Sequence, residues 1–423
     1  MLVVSGSLQS GGRRFEFDAL GASAEIEALR RACGATPCHL VGGTVRDALL
    51  GRAVVDVDVV VEADGRAIAE ELARLTSRRL VDLGGDRFPS FRLVGTDRSI
   101  DLWDRQGAPL AAELARRDLT INAIAVDIGS GEVIDPQAGR RDLTARLLRA
   151  VGARTFDEDP LRIWRLARLA AQLPGFRADP ETVVLARDAL PGLRSVASER
   201  VREELSKLLV APAVGTGVEM LATVGLFPRA WHADAPPGSV TRVVDAMARF
   251  AELRSSAPSQ RPDSLLAHHL ILAQAATTND SGARRALSRV AERGWITERL
   301  RRRVAAAAGE LPRGEIEVRR YVNRTADDWL SGLLTLAAIA GSTREDVGEL
   351  VTLGQAIAPE VIDPPALVDG HELAARLGIA RGPRLGELLA AISREQVDGR
   401  LHDREAALAF AAELHRRTEG EAR

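Results

Sequence analysis

Two aspartates, Asp56 and Asp58, interrupt a valine-rich apolar segment at residues 54–61. Side chains two residues apart on a strand project from the same face. We therefore expect both carboxylates to share one face, which is costly unless a cation compensates their charge. The predicted cation is Mg²⁺, because it takes one or two carboxylates and completes its shell with water and substrate phosphates. Asp56 and Asp58 are thus the predicted metal ligands, and two ions held there would flank a phosphorus centre.

The segment directly upstream predicts a phosphate site. Gly42-Gly43 opens a helical stretch, and backbone N–H groups at a helix N-terminus attract anions such as a triphosphate. Taken alone, a Gly-Gly pair is usually a turn and a D-x-D is usually a solvated strand edge or loop, but their order within a short span favours a joint site. The pattern G-G-x-x-R-D-x-L-L-G-R…D-x-D resembles motif A of the nucleotidyltransferase superfamily that contains tRNA CCA-adding enzymes and bacterial poly(A) polymerases. The resemblance implies that Gly42, Gly43 and Arg46 bind the nucleotide.

A third acid and a second motif follow in the order of that family. Asp101 lies in a strand-like segment, residues 99–103, and beside the first two acids it could take a proton from an attacking 3′-hydroxyl or hold that hydroxyl in line. The alternative is an exposed strand residue. The string R-R-D-L-T-I-N-A resembles motif B, in which paired arginines hold a triphosphate and the Asp and Asn suit ribose hydroxyls. The alternative is a helix cap with surface arginines. The nucleotide-binding residues predicted here are Arg116, Arg117, Asp118 and Asn122.

A further motif predicts how the base is chosen. Asp159 and Arg162 are three residues apart, so on a helix they would face the same way. A carboxylate accepts from an exocyclic amine and a guanidinium donates to a ring nitrogen or carbonyl, so the pair would select cytosine and adenine over uracil and guanine. The alternative is an N-cap Asp followed by Pro at the first helical position. The string resembles motif D, E-D-x-x-R-x-x-R, and the predicted nucleotide-binding set is Asp159, Arg162, Arg165 and Arg168.

The arrangement of predicted elements indicates an α+β fold. Strand signals at residues 54–61, 91–94 and 99–103 and a helix at 66–75 occur in the first 150 residues, whereas the chain beyond Asp157 is almost entirely helical in pattern. The family resemblance implies a polymerase-β-like nucleotidyltransferase head at 1–150 and an all-helical remainder. That remainder would comprise a neck with the base template at 151–212, a body at 213–350 and an RNA-binding tail at 351–423.

Composition narrows the partners and the compartment. With a net charge of −2, the chain is not basic overall, as many nucleic-acid binders are. Any RNA contact must therefore use local basic patches. Two cysteines are too few for a disulfide framework or a four-thiolate zinc site, and no apolar run approaches the roughly 20 residues that span a bilayer. We expect a soluble, cytoplasmic protein without a membrane partner. His268-His269 lacks a following Asp, so we interpret both as core or surface residues rather than as a phosphohydrolase metal site.

Together the motifs predict an RNA nucleotidyltransferase in which a tRNA 3′-hydroxyl attacks the α-phosphate of CTP or ATP and pyrophosphate leaves. A poly(A) polymerase is less favoured, because residues 85–89 give only a faint echo of a G-R-R-F-R string. The connection between Asp101 and Arg116 is shorter than is usual in CCA-adding relatives, which leaves a CC-adding specialist open. Other rivals are a non-catalytic RNA-binding module and a small-molecule nucleotidyltransferase. The sequence leaves the oligomeric state undetermined.

Overall fold

The computed structural model describes residues 14–84, 89–96, 98–232, 235–255, 263–277 and 280–421. The chain forms two compact units, Met1–Ala197 and Ser198–Arg423. The segment that weakly resembles G-R-R-F-R, residues 85–89, lies outside the described residues except for Pro89. No helix in the described ranges is long and apolar enough to cross a membrane.

The first unit is built on a mixed sheet. Its described strands follow the order β3-β4-β5-β2-β1-β6-β7, and a separate two-residue pair, β8-β9, lies after it. Strands β2 and β5 are parallel, while the other neighbours within the large sheet are antiparallel. The strands are β1 Cys38–Val41, β2 Val57–Val61, β3 Arg79–Gly84, β4 Ser90–Val94, β5 Ser99–Asp104, β6 Ala125–Asp127, β7 Val133–Ile134, β8 Leu147–Leu148 and β9 Arg177–Ala178.

Helices cover one face of this sheet because alternate strand residues are apolar. The side chains of Val57, Val59 and Val61 are fully buried on that face, and α3 packs against β4 and β5. The helices of the unit are α1 Ser23–Cys33, α2 Gly42–Leu49, α3 Gly65–Thr76, α4 Leu110–Ala115, α5 Gly139–Ala145, α6 Thr155–Glu158, α7 Arg162–Gln172 and α8 Pro180–Asp188. Short 3-10 helices occur at Phe17–Leu20, Thr120–Asn122 and Leu190–Ser195.

The second unit is helical throughout its described residues. Its helices are α9 Ser198–Leu209, α10 Val214–Thr223, α11 Ser239–Ser255, α12 Ser264–Gln274, α13 Asp280–Glu292, α14 Glu298–Ala307, α15 Gly314–Thr325, α16 Trp329–Ala340, α17 Arg344–Val361, α18 Gly370–Leu377, α19 Pro383–Val397 and α20 Arg404–Glu421, with a 3-10 turn at Ala326–Asp328. The predicted α+β class is confirmed. One local departure is strand β9, which lies in the stretch predicted to be an all-helical neck.

His268 and His269 are both buried in α12, as the core interpretation predicted. Burial lowers the pKa of His268 to about 4 and that of His269 to about 3. Among the described residues, no group of three or more His, Cys, Asp or Glu side chains is arranged to hold a metal ion. The two imidazoles are therefore neutral core residues at neutral pH.

These histidines give stability a defined pH dependence. Because their folded pKa values lie below the unfolded value of about 6.5, the unfolded chain binds more protons below that pH, and stability falls as pH falls. Between pH 6.5 and 4.5 we expect each histidine to cost about 2 kcal/mol of unfolding free energy. We expect the free energy of unfolding, measured with urea at several pH values in this range, to fall less steeply with falling pH for the His268→Gln/His269→Gln double variant than for the parent. If the free energy of unfolding depends on pH equally in both proteins, the assignment of the two histidines as neutral core residues is refuted.

Candidate active site

The acidic residues meet through strand register. Asp58 on β2 pairs with Asp101 on β5, and Asp101 pairs in turn with Arg92 on β4. All three therefore lie in one row on the face opposite the buried valines. Asp101 is 7% exposed, and both its oxygens accept from Arg92, at 2.6 Å from Nε and 2.7 Å from Nη2. The third carboxylate predicted from the sequence thus lies beside Asp58.

Asp56 departs from the predicted arrangement. Strand β2 begins at Val57, so Asp56 lies in the bend before the strand rather than on its face. Its Oδ1 accepts from the backbone N–H of Ser99 at 3.2 Å and from the Ser99 hydroxyl at 2.7 Å. Asp56 still acts electrostatically on Asp58. The expectation of two carboxylates on one strand was wrong in its geometry, although the two groups remain neighbours.

Asp58 has a raised pKa. Burial raises its pKa to about 6, helped by the negative charges of Asp101 and Asp56 and opposed by Arg117 and by the Gly43 backbone N–H. The backbone N–H of Asp58 donates to Thr44 Oγ1 at 2.7 Å, and that hydroxyl donates to the Asp56 carbonyl at 3.1 Å. Thr44 therefore ties the acidic turn to α2, a role that the sequence analysis missed.

The Gly-Gly step leaves room next to Asp58. Gly42 begins α2 with φ +66°, a left-handed conformation that favours glycine. A Cβ at Gly42 would lie 3.0 Å from Asp58 Oδ2 and 3.4 Å from Arg117 Nη1. Because glycine has no side chain, a short gap remains at Gly42 beside the Asp58 carboxylate and the Arg117 guanidinium. At a helix N-terminus, such a gap suits a phosphate group that is approached by backbone N–H groups.

Arg117 is held in place by two neighbours. Its Nη2 donates to Glu113 Oε1 of α4 at 2.9 Å, and its guanidinium carbon lies 5.7 Å from the ring centroid of Trp103. Trp103 is two residues after Asp101 and lies on the same face of β5. Arg116 caps α4, and its carbonyl accepts from Arg162. The two arginines predicted to bind a triphosphate therefore follow α4, and Arg117 lies near Gly42 and Asp58.

The side chains of Asp118 and Asn122 are buried and hydrogen-bonded to each other. Asp118 is 5% exposed; its Oδ1 accepts from the Asn122 amide at 2.9 Å and its Oδ2 accepts from Arg165 Nε at 2.8 Å. Asn122 Oδ1 accepts from Arg46 Nη1 at 2.7 Å. These bonds and the positive charge of Arg165 hold the pKa of Asp118 far below its usual range, against the effect of burial. The predicted nucleotide-binding residues Arg46, Asn122, Asp118 and Arg165 form one chain of hydrogen bonds.

Asp159 was expected on the same helix as Arg162, but the structure places it before that helix. Helix α7 begins at Arg162, and Asp159 has an extended backbone, with its Oδ1 accepting from the Leu161 N–H at 3.2 Å. Asp159 thus forms a local turn before α7, whose first turn has no side-chain cap. Arg162 donates to the carbonyls of Thr155, at 2.9 Å, and Arg116, at 2.5 Å. Arg168 Nη1 donates to Gln172 at 2.5 Å within α7.

The donor set around Asp58 fits a hard divalent cation. Asp56 and Asp58 offer carboxylate oxygens, and a bound cation would stabilise the charged form of Asp58, whose pKa is raised mainly by burial. Asp101 is engaged by Arg92, which leaves two carboxylates for the ion. Two carboxylates are the protein share typical of Mg²⁺, which keeps several waters and substrate phosphates as its other ligands.

Two segments of the chain match known protein families. Residues 38–149 match the family described as Poly A polymerase head domain, and residues 175–230 match the one described as Probable RNA and SrmB- binding site of polymerase A. Two segments of this chain are therefore similar to the head domain and the RNA-binding region of that polymerase family. The CC-adding tRNA nucleotidyltransferase of Geobacter sulfurreducens is 40% identical over 205 residues, which cover 47% of this chain and 46% of that protein. This chain thus spans about half the length of that relative.

Two other relatives of the same nucleotidyltransferase family match over nearly their full length. The CC-adding tRNA nucleotidyltransferase of Synechocystis is 28% identical, covering 89% of this chain and 93% of that protein. The A-adding tRNA nucleotidyltransferase of Deinococcus radiodurans is 29% identical, covering 90% and 96%. The solved Bacillus stearothermophilus CCA-adding enzyme in complex with CTP shares the fold with a TM-score of 0.74 at 24% identity, covering 95% of this chain and 99% of that one.

Proposed function

We propose that this nucleotidyltransferase extends the 3′ end of tRNA with C, A or both, taking the nucleotides from CTP and ATP and releasing pyrophosphate. The observation that carries the proposal is the row formed by Asp58 and Asp101, which faces the gap at Gly42 that Arg117 borders. An acidic pair beside an anion-binding helix N-terminus suits attack of a hydroxyl on a phosphate. The relatives described above carry names of CC- and A-adding tRNA nucleotidyltransferases.

Each group has a physical task in this proposal. Backbone N–H groups at Gly42 and Gly43, together with Arg117, hold the triphosphate. Asp56 and Asp58 hold Mg²⁺, which when bound neutralises the charge that develops on the phosphate oxygens. Asp101 lies on the same face and orients the attacking 3′-hydroxyl. We still propose that Asp159 and Arg162 recognise the base. Nucleotide binding would then have to replace the bond from the Leu161 N–H to Asp159 and the bonds from Arg162 to backbone carbonyls.

A narrower product, CC, is favoured by the connection between Asp101 and Arg116. The backbone N–H of Arg105 donates to Val61 O at 2.9 Å and that of Gly107 donates to Glu62 O at 2.8 Å. Helix α4 fills most of what remains. The described connection is therefore short and pinned to β2, without the longer flexible segment that the family resemblance associates with the switch from C to A addition. The relative from Geobacter sulfurreducens is named as CC-adding.

The test is gel analysis of products on tRNA ending at the discriminator base, and separately on tRNA ending in CC, with each NTP alone and in mixture. We expect two C residues to be added from CTP and little extension of the CC-ending tRNA by ATP. Rapid, complete addition of one A to the CC-ending tRNA would show that the enzyme makes the full CCA end rather than CC alone. Long A tracts would support a poly(A) polymerase, and no incorporation by the wild type would refute the proposal as a whole.

A further inference from the structure

Arg92 makes a contact that neither the motifs nor the proposed chemistry requires. It lies on β4 between Phe91 and Leu93, which are 2% and 0% exposed and face the helix-covered side of the sheet. Arg92 therefore projects from the opposite face, directly across the antiparallel pair from Asp101. Its guanidinium meets the Asp101 carboxylate through two parallel bonds of 2.6 and 2.7 Å. This is the fork geometry in which an arginine fixes both the position and the plane of a carboxylate.

We propose that Arg92 is a positioning residue for nucleotide transfer, which sets the plane and direction of the Asp101 carboxylate toward the 3′-hydroxyl. The inference rests on the proposed function and deepens it. Without Arg92, the buried Asp101 would face the negative charges of Asp58 and Asp56 with no guanidinium on the β4 side. Repulsion would then turn the carboxylate away from Asp58. Misplacing a reacting group by about 1 Å can cost on the order of a hundredfold in rate.

The pairing also explains the choice of arginine on β4. The side chain of Arg92 is 46% exposed, whereas that of Asp101 is 9% exposed, so the guanidinium reaches inward from the solvent edge of the site. A lysine would keep the charge but offer a point donor instead of a planar fork. It would compensate Asp101 electrostatically and leave the carboxylate plane free to rotate. Charge and orientation are therefore separable by substitution at this one position.

The experiment measures kcat, the KM for CTP and the Kd for tRNA in the full-length protein. We expect Arg92→Leu to lower kcat about 10- to 100-fold, with KM and Kd within about twofold of the parent, because the contact acts on orientation rather than on binding. Arg92→Lys should recover part of kcat. In an Asp101→Ala background, Arg92→Leu should lower kcat no further, since the proposed action of Arg92 on the reaction passes through the Asp101 carboxylate.

Arg74→Leu is the matched control. Arg74 makes a similar two-bond pair with Glu71, at 2.9 and 2.7 Å, on the exposed surface of α3 in the same unit, and its loss should leave kcat unchanged. Should Arg92→Leu unfold, Arg92→Gln takes its place in the cycle. An equal loss of kcat in the parent and Asp101→Ala backgrounds would show a general structural effect and overturn the inference. Wild-type kcat in Arg92→Leu would also overturn it, whereas an inactive wild type would refute the proposed function itself.

Discussion

Asp58→Ala is expected to abolish nucleotide incorporation while leaving tRNA binding largely intact. Asp58 supplies an oxygen to the proposed metal and lies against Asp101, so its loss removes stabilisation that is made at the reacting phosphate. Loss of several kcal/mol at this point corresponds to about a thousandfold or more in rate. Asp56→Ala should act in the same direction, although Asp56 also anchors Ser99. Labelled CTP incorporation and filter binding of tRNA measure the two effects.

Asp82→Ala provides the control for the metal-site variants. Asp82 lies on β3 of the same sheet, at an exposed position where it pairs with Arg66. Its removal takes away one surface carboxylate without touching the row of Asp58 and Asp101, so incorporation should stay at the parent level. Activity within a few-fold of the parent in Asp58→Ala, at saturating Mg²⁺, would exclude the metal assignment.

The second large effect is expected on stability, for Asp118→Ala. Asp118 is buried and accepts from Arg165, from the Asn122 amide and from the Leu119 N–H. Truncation leaves a guanidinium and an amide without their acceptor, and removing one partner of a buried ion pair costs about 3–5 kcal/mol. The side chain of Arg165 is 37% exposed, so water can compensate part of the loss and we expect about 3 kcal/mol. Urea unfolding monitored by far-UV circular dichroism measures it.

Glu71→Ala is the comparison for Asp118→Ala. Glu71 pairs with Arg74 on the exposed face of α3, where solvent screening leaves a surface ion pair little net contribution to stability. If the two variants lose the same unfolding free energy, Asp118 does not stabilise the unit through its buried contacts. A double variant with Arg165→Ala should lose less than the sum of the two single variants, because both act on one contact.

Local patterns predicted the functional segments well because each motif combines residue types with a fixed spacing. Alternation in residues 54–61 identified the strand that carries Asp58, and the helical pattern beyond Asp157 indicated that the rest of the chain is almost entirely helical. The strand was predicted to start too early, since β2 begins only at Val57. Short strands such as β1, Cys38–Val41, lacked a signal of their own because four residues are too few for a period.

Contacts between distant segments could not be predicted in this way. Arg92 and Thr44 reach the site through strand register and through the packing of α2, which no window of neighbouring residues encodes. The expected helical position of Asp159 was wrong because the chain stays extended there, just before Pro160, and helix α7 begins only at Arg162. Proline disfavours the helical conformation in the residue before it.

The parallel pairing of β2 with β5 makes the acidic pair tolerant of some changes in chain length and intolerant of others. Insertions in the loops between these strands leave Asp58 opposite Asp101, because the ladder sets their alignment. One residue added inside β5 ahead of Asp101 would turn that acid to the helix-covered face. Two added residues would restore the face but move the carboxylate about 6.6 Å along the strand. Evolution and protein engineering can therefore lengthen the loops between β2 and β5 without separating the acidic pair, whereas these two strands must keep their number of residues.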